Sequence, residues 1–285
     1  YGLVTYQTAY LKANYPEEYL AALLTSVSHT LEKAAVYLAE CRSMGITVEV
    51  PDINRSAANF TPGDKSIIFG LAAVRNVGEG LVDLIVTERE ARGPFGPREI
   101  DGRPIDAFDD FCLRVPYEVL NKRTIESIIK AGGFDTCGLP RKGLLLRMEE
   151  RIDHIVARRR EHDMGVMSLF GSGGDEPTID EHPVTDVEFD KAERLSHEKE
   201  MLGLYVSDHP LMGYEQVLAR RTDGPLSELT ELSDGTSRTI GGVVTNLQRK
   251  WTKKGDLMAI FQLEDLQSQI EVMVFPRTMT EHGHK

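Results

Sequence analysis

The sequence is poor in cysteine and tryptophan and has no long apolar run. Its 285 residues include three cysteines and one tryptophan. Cys41, Cys112 and Cys137 show no Cys-x-x-Cys spacing, which argues against a zinc site or a disulfide framework and favours buried thiols in a reducing cytoplasm. No secretory signal opens the sequence, and no stretch reaches the roughly 18 apolar residues that a membrane-spanning helix needs. We therefore expect a cytoplasmic protein without a membrane segment.

Positive charge is also scarce. The formal net charge is −12, and residues 171–200 carry ten carboxylates against three lysines and arginines. A balance this acidic disfavours nucleic-acid binding over the whole surface, so any such contact must come from local basic patches. Hydrophobic residues make up 41% of the chain and charged residues 27%, which is typical of globular domains, and the length fits one to three of them.

A glycine-containing turn at residues 77–80 is the most informative local pattern. Apolar spacing predicts a short helix before it and a second helix after it, through Leu71, Val74, Leu81, Leu84 and Ile85. Gly78 and Gly80 let the backbone approach a ligand closely, and the amides at the start of the second helix favour an anion. Arg75 would add a phosphate contact that reads no base sequence. Because Glu79 and Asp83 would repel phosphate, a plain turn between two core helices is the alternative.

A second two-helix unit is predicted over residues 107–135. Its first helix turns Phe108, Phe111 and Cys112 inward. Its second helix starts at Asn121, Lys122 and Arg123, where side-chain charge and free amides could meet one phosphate. A solvated basic turn is the alternative.

Two other stretches carry simpler expectations. Glycine and proline predict an exposed loop over residues 92–106. A long helix with an apolar stripe follows the second unit, and its arginines are expected on the solvent side: Arg147, Arg151, Arg158, Arg159 and Arg160.

Several stretches resemble, in order, the bacterial replicative DNA polymerase III alpha subunits. Residues 6–24 are similar to the late fingers region of that family, and residues 41–46 and 51–54 to the segment that follows it. The two predicted hairpin units sit where the family carries tandem helix-hairpin-helix units. Residues 198–211 resemble the stretch before its OB-fold. The similarity runs along nearly the whole chain.

A short apolar run, Met164-Gly-Val-Met-Ser-Leu-Phe-Gly, stands where the family has its internal motif for the sliding clamp. The resemblance implies that Met167, Leu169 and Phe170 bind the clamp. Apolar residues in a glycine-rich segment are typical anchors for a partner's pocket. The family's usual glutamine is replaced by Val166. A loop packed against its own domain is the alternative.

Strand patterns begin at Arg238 and resemble an OB-fold, a barrel that binds single strands by stacking and basic contacts. A basic turn with the lone tryptophan is the candidate contact: Arg249, Lys250, Trp251, Lys253 and Lys254. About three strands precede the end of the sequence, so the barrel is expected to be incomplete.

Together these patterns predict an α+β multidomain chain, mainly helical and ending in a partial β-barrel. The predicted parts are the end of the fingers (1–60), a tandem helix-hairpin-helix domain (61–162), the clamp motif with an acidic linker (163–186), a connecting segment (187–231) and a partial OB-fold (232–285). The expected partners are double- and single-stranded DNA, the sliding clamp and other replisome subunits.

The resemblance implies template-directed DNA synthesis by the parent protein. The acidic palm that holds the two metal ions in such polymerases has no counterpart here, so we expect Mg²⁺ in the parent, no cofactor or metal in this chain, and no catalysis by this chain alone. A start within a helix and an end within a barrel favour a fragment over the first alternative, a standalone non-catalytic DNA-binding adaptor. A hydrolase built on His209 has no supporting constellation, which favours a structural histidine.

The clamp motif yields a direct prediction. A peptide spanning residues 160–174 should bind the family's sliding clamp saturably, and Leu169→Ala with Phe170→Ala should abolish that binding because a few anchors carry most of the energy. Val166→Gln should tighten the complex by about 0.5–1.5 kcal/mol through one restored hydrogen bond. Titration of the clamp with the three peptides is the measurement. No saturable binding, or binding that ignores the loss of both anchors, would leave a self-packed loop.

Overall fold

The computed structural model describes residues 2–28, 30–100, 103–163, 184–266 and 268–283. The chain divides into two compact units. The first contains residues 1–29 and 45–207, and the second contains residues 30–44 and 208–285. The finer five-part division expected from the sequence stays a prediction.

The first unit holds most of the helices. They are α1 (Gly2–Asn14), α2 (Pro16–Ser26), α4 (Glu79–Arg92), α5 (Ala107–Arg114), α6 (Lys122–Ala131), α7 (Arg141–Asp163) and α8 (Lys191–Leu202), with α3 (Leu31–Ser43) in the second unit. Pro16 opens α2 with Glu17 and Glu18 in its first turn, because proline lacks the amide that a first turn leaves unbonded and acids suit the helix dipole. Among the described helices none is long and apolar enough to cross a membrane.

A small mixed sheet accompanies these helices. Its central strand β3 (Ser66–Ile68) pairs in parallel with β1 (Thr47–Glu49) and antiparallel with β2 (Thr61–Pro62). Ile67 and Ile68 are buried, and Val48 of β1 is buried beside them. Alternation of Ile46, Val48 and Val50 and the apolar run at residues 67–69 predict strands at these places, and β1 and β3 confirm them.

Aromatic rings fill the core of the first unit. Phe111 packs edge-on against Phe95 and Phe134, with ring centroids 5.0 and 5.3 Å apart, and Phe108 meets Phe134 at 5.4 Å. Edge-to-face packing of this kind adds about 0.5–1.5 kcal/mol per pair beyond the burial of area. Phe108, Phe111 and Cys112 are fully buried, as the helical spacing predicted.

The prediction of an exposed loop over residues 92–106 was wrong in part. The segment contains a β-hairpin of β4 (Arg98–Ile100) and β5 (Arg103–Ile105), and Phe95 is buried in the aromatic core. Gly93, with φ of +84°, ends α4 and turns the chain toward Phe95. Glycine and proline therefore marked the turns correctly, but burial of Phe95 attaches the segment to the core.

Arg114 joins α4, α5 and the chain between them. Its side chain is only 5% exposed, and it pairs with Glu88 at 2.9 Å and Asp110 at 3.0 Å. The same guanidinium donates to the carbonyl oxygen of Gly93 at 2.6 Å and lies 4.5 Å above the Phe95 ring. A buried charge is tolerated when every donor finds an acceptor, and here the acceptors come from three segments.

Two arginines of α7 are structural, contrary to the expectation that they lie in solvent. Arg151 is buried and pairs with Asp106 at 2.6 Å and Asp109 at 3.2 Å. Burial, with a smaller contribution from Asp106, raises the pKa of Asp109 to about 6, and Arg151 opposes that rise. Arg159 donates to the Val115 carbonyl at 2.7 Å. These contacts attach α7 to the second hairpin unit.

The second unit is built on an antiparallel sheet of β6 (Val243–Trp251), β7 (Leu257–Glu264) and β8 (Gln269–Val274), with β7 in the centre. Helices α9 (Glu215–Arg221) and α10 (Pro276–His282) flank it in sequence. A bulge between Thr245 and Gln248 places Asn246 at a positive φ of 53°. Alternation predicts strands over residues 257–265 and 270–275, which the structure has as β7 and β8, whereas the first strand, expected over residues 239–244, begins at Val243 and runs to Trp251. Across the described residues they form an open sheet, so the OB-fold assignment stays a prediction.

Loss of the Arg114 guanidinium should destabilise the first unit strongly. Arg114→Met should lower the free energy of unfolding by about 3–5 kcal/mol, because it removes the buried partner of Asp110 and leaves that buried carboxylate with the more exposed Arg98. Arg92→Met is the matched control, since Arg92 also contacts Glu88 at 2.9 Å but is 60% exposed. That change should cost less than about 1 kcal/mol. Chemical denaturation followed by far-ultraviolet circular dichroism measures both, and equal costs would contradict the role given to Arg114.

Candidate nucleic-acid interface

The first hairpin differs in detail from its prediction. Its first element is a single 3-10 turn, Leu71–Ala73, and not an α-helix. The buried side chains of Leu71 and Val74 are three residues apart, a spacing that both helix types satisfy over one turn. Helix α4 begins at Glu79, so Gly80 belongs to its first turn and the turn proper ends at Gly78.

The N-terminus of α4 is open. Gly78 precedes the helix in an extended conformation and no side chain caps it. The first helical bonds run from the amides of Leu81 and Val82 to the Gly78 carbonyl, so the amides of Glu79 and Gly80 lie ahead of them. A Cβ built on Gly78 or Gly80 would meet no atom within 4 Å, which leaves space on the solvent side of the backbone. This geometry suits an anion.

Asn76 joins the two hairpins. It adopts a left-handed conformation with φ of +65°, and its side-chain amide donates to the Ser127 hydroxyl at 3.0 Å. The Thr124 hydroxyl donates to the Asn76 carbonyl at 3.2 Å, which holds the first turn of α6 against the first hairpin. Sequence reasoning missed Asn76, although asparagine is among the few residues that favour this backbone region.

The start of α6 is less available than predicted. A 3-10 turn, Tyr117–Val119, precedes it, and Asn121 is its N-cap. The Asn121 side-chain oxygen accepts from the amides of Arg123 at 2.9 Å and Thr124 at 3.4 Å. Two of the amides expected to meet phosphate are therefore satisfied by the chain itself, because asparagine is a strong N-cap residue.

The charged candidates at the hairpins fall into two groups. Lys122 Nζ contacts Asp153 at 2.8 Å and Glu149 at 3.8 Å, both on α7. Arg75 and Arg123 are exposed, and neither side chain makes an ion pair with any residue that the structure describes. Since Arg75 adjoins Asn76 and Arg123 adjoins Thr124 in sequence, the contact between Asn76 and Thr124 brings their backbones to one region.

The basic candidates of the second unit lie on a strand as well as in a turn. Arg249, Lys250 and Trp251 end β6, and Lys253 and Lys254 lie in the turn that follows. In the β6–β7 register Arg249 faces Ala259 and Trp251 faces Leu257, whereas Lys250 faces Met258. Alternation along a strand therefore puts Arg249 and Trp251 on one face and Lys250 on the other.

Trp251 is 72% exposed. Its indole therefore lies on the surface, beside the basic side chains of the same strand and turn.

The remaining candidates are His209, a possible metal site and the clamp residues. His209 is buried, and its Nδ1 accepts the Leu211 amide at 3.1 Å, which shapes a local turn. Within the described ranges no group of three or more His, Cys, Asp and Glu side chains is arranged to hold a metal ion. The clamp candidates Met167, Leu169 and Phe170 lie outside the described residues.

A protein-family model matches part of this chain. Residues 45–144 match a family model described as a helix-hairpin-helix motif. The match covers both hairpins, the open start of α4 and the capped start of α6.

Proteins of one name, from several bacteria, are similar to nearly the whole of this chain. DNA polymerase III subunit alpha of Mycobacterium tuberculosis is 41% identical over 99% of this chain and 24% of its own length. The proteins of the same name from Thermus aquaticus and Pseudomonas aeruginosa are 38% and 37% identical, over 97% and 96% of this chain and 22% and 24% of their own lengths. The chain is thus homologous to the DNA polymerase III alpha subunits and spans about a quarter of their length, which confirms the resemblance read from the sequence.

Proposed function

We propose that this chain is a DNA-binding segment of a DNA-directed DNA polymerase that acts in replication in the cytoplasm. The parent protein would add deoxynucleotides to a 3′ end with Mg²⁺ held by an acidic palm outside these residues. This segment would position DNA and attach the polymerase to its partners. The observation that carries the proposal is the open, glycine-flanked start of α4 inside a region that matches a helix-hairpin-helix family.

Duplex DNA would be held through its phosphates. A phosphate at the start of α4 would accept hydrogen bonds from the amides of Glu79 and Gly80 and lie at the positive end of the helix dipole. The absence of a Cβ at Gly78 permits this approach. Arg75 and Arg123 would neutralise neighbouring phosphates, so binding would depend on salt and be insensitive to base sequence.

Single-stranded DNA would contact the second unit. Trp251 would stack on one base while Arg249, on the same face, meets the backbone, and Lys253 and Lys254 would extend the basic surface through the turn. Lys250 lies on the opposite face and would contribute less. This arrangement is what an OB-fold uses, and we propose that the three strands belong to one.

Clamp attachment and contacts with other replisome subunits complete the proposal. Residues 163–186 would serve as the clamp-binding segment, with Leu169 and Phe170 as anchors.

A standalone non-catalytic adaptor with the same hairpins is the second candidate. The alignment of this chain with polymerase III alpha subunits over nearly all its residues supports the polymerase instead. Reading the neighbouring gene sequence for a palm with paired aspartates separates the two.

The phosphate model predicts which cations matter. Arg75→Ala and Arg123→Ala should each weaken duplex binding on all sequences alike and reduce the slope of log K against log salt by about 0.9. Fluorescence anisotropy of labelled duplexes at several salt concentrations measures both quantities. Arg277→Ala is the control, since Arg277 is an exposed arginine on α10 of the second unit. Unchanged affinity and slope in both hairpin variants, or an equal loss in the control, would contradict the model.

The stacking model predicts a selective loss. Trp251→Ala should weaken single-strand binding by about 1–3 kcal/mol, the cost of one stacked base, and leave duplex binding nearly unchanged. Trp251→Phe should keep most of the affinity because an aromatic face remains. Phe275→Ala is the matched control, as Phe275 is another exposed aromatic residue of the same unit. Titration with an oligonucleotide and with a duplex measures the difference, and a parallel fall in both would refute stacking.

A further inference from the structure

Two carboxylates of α7 lie at the start of α6. Asp153 and Glu149 are one helical turn apart and both contact Lys122, at 2.8 and 3.8 Å. They are 67% and 70% exposed, so neither is required by the core. Lys122 is the first residue of α6 and stands beside Arg123, one of the two cations that we assign to DNA.

This ion pair competes with phosphate for the same ammonium group. The hydrogen bond that Lys122 donates to Asp153 raises the pKa of Lys122, as a bond to a phosphate oxygen in that place would. Exposed pairs of this kind are weak and screened by salt, so DNA can displace them. Until it does, Lys122 contributes little net positive charge to the hairpin surface, and two negative charges stand near the approaching backbone.

We propose that Asp153 and Glu149 act as an intramolecular competitor that withholds Lys122 from DNA and lowers the affinity of the hairpins for duplex. The inference rests on the proposed phosphate contacts of the hairpins. Its function is to keep a sequence-independent contact weak enough to be released as the protein moves along DNA.

The neighbouring carboxylate provides a matched control. Glu150 is adjacent to Glu149 on α7, carries the same charge and is 64% exposed, but its partner is Arg147 at 3.2 Å. Glu150→Gln therefore changes the net charge by the same amount as Glu149→Gln without releasing Lys122. Any effect of total charge alone would appear in both variants.

The test is duplex binding by the whole chain across a salt series. Asp153→Asn, and Asp153→Asn with Glu149→Gln, should tighten binding by about two- to fivefold at low salt. The slope of log K against log salt should steepen by about 0.9, because Lys122 becomes an additional phosphate contact. Glu150→Gln should change neither value appreciably. In a Lys122→Ala background, Asp153→Asn should have almost no effect.

The outcomes separate this inference from the proposed function. Equal tightening by Glu150→Gln, or full tightening by Asp153→Asn without Lys122, would overturn the competitor and leave plain charge repulsion. A second outcome is that Arg75→Ala and Arg123→Ala each weaken binding while Asp153→Asn changes nothing. That result would support the proposed hairpin function and refute the inference. A chain that binds no duplex either as wild type or as Asp153→Asn would refute both. Binding that appears only in Asp153→Asn would support the competitor.

Discussion

The position of the open start of α4 depends on the buried guanidinium of Arg114, which belongs to the other hairpin unit. Arg114 is buried with Glu88 and Asp110, and its donors bond to acceptors on α4, on α5 and at Gly93. These contacts fix the C-terminal half of α4, and Arg89 adds bonds to the carbonyls of Ile53 and Ser56. A helix held rigidly at one end presents its other end, the open start at Gly78, in a defined place.

Part of the positive charge of this acidic chain is used inside the fold. Arg114, Arg141 and Arg151 are buried and paired with carboxylates, so they neutralise acids within the fold. The cations that remain in solvent near the hairpins are few, and Arg75 and Arg123 are two of them. Under the proposed function, affinity for DNA would depend on a small number of exposed side chains, so the two carboxylates proposed to compete for Lys122 would have a measurable effect.

The two units suit two physical kinds of contact. The first unit offers backbone amides and arginines at helix starts, which recognise phosphate and ignore the base. The second offers an exposed indole on a strand, which needs an unstacked base and therefore favours a single strand. Under the proposed function, the first unit would hold duplex DNA and the second a single strand.

Local features followed from the sequence because their causes lie within a few residues. The start of α2 at Pro16, the turn at Gly78 and the inward face of α5 are examples, and the family resemblance was legible in short contiguous stretches. Features decided by tertiary structure have partners far along the chain. Asp153 is 31 residues from Lys122, Arg114 is 19 from Phe95, and Asn76 bonds to a serine 51 residues away. The sequence shows that Lys122 and Arg123 are cations but not which of them forms an ion pair. The packing of α6 on α7 decides this, because an ion pair depends on distance in space: Lys122 pairs with Asp153 and Glu149, and Arg123 pairs with no described residue.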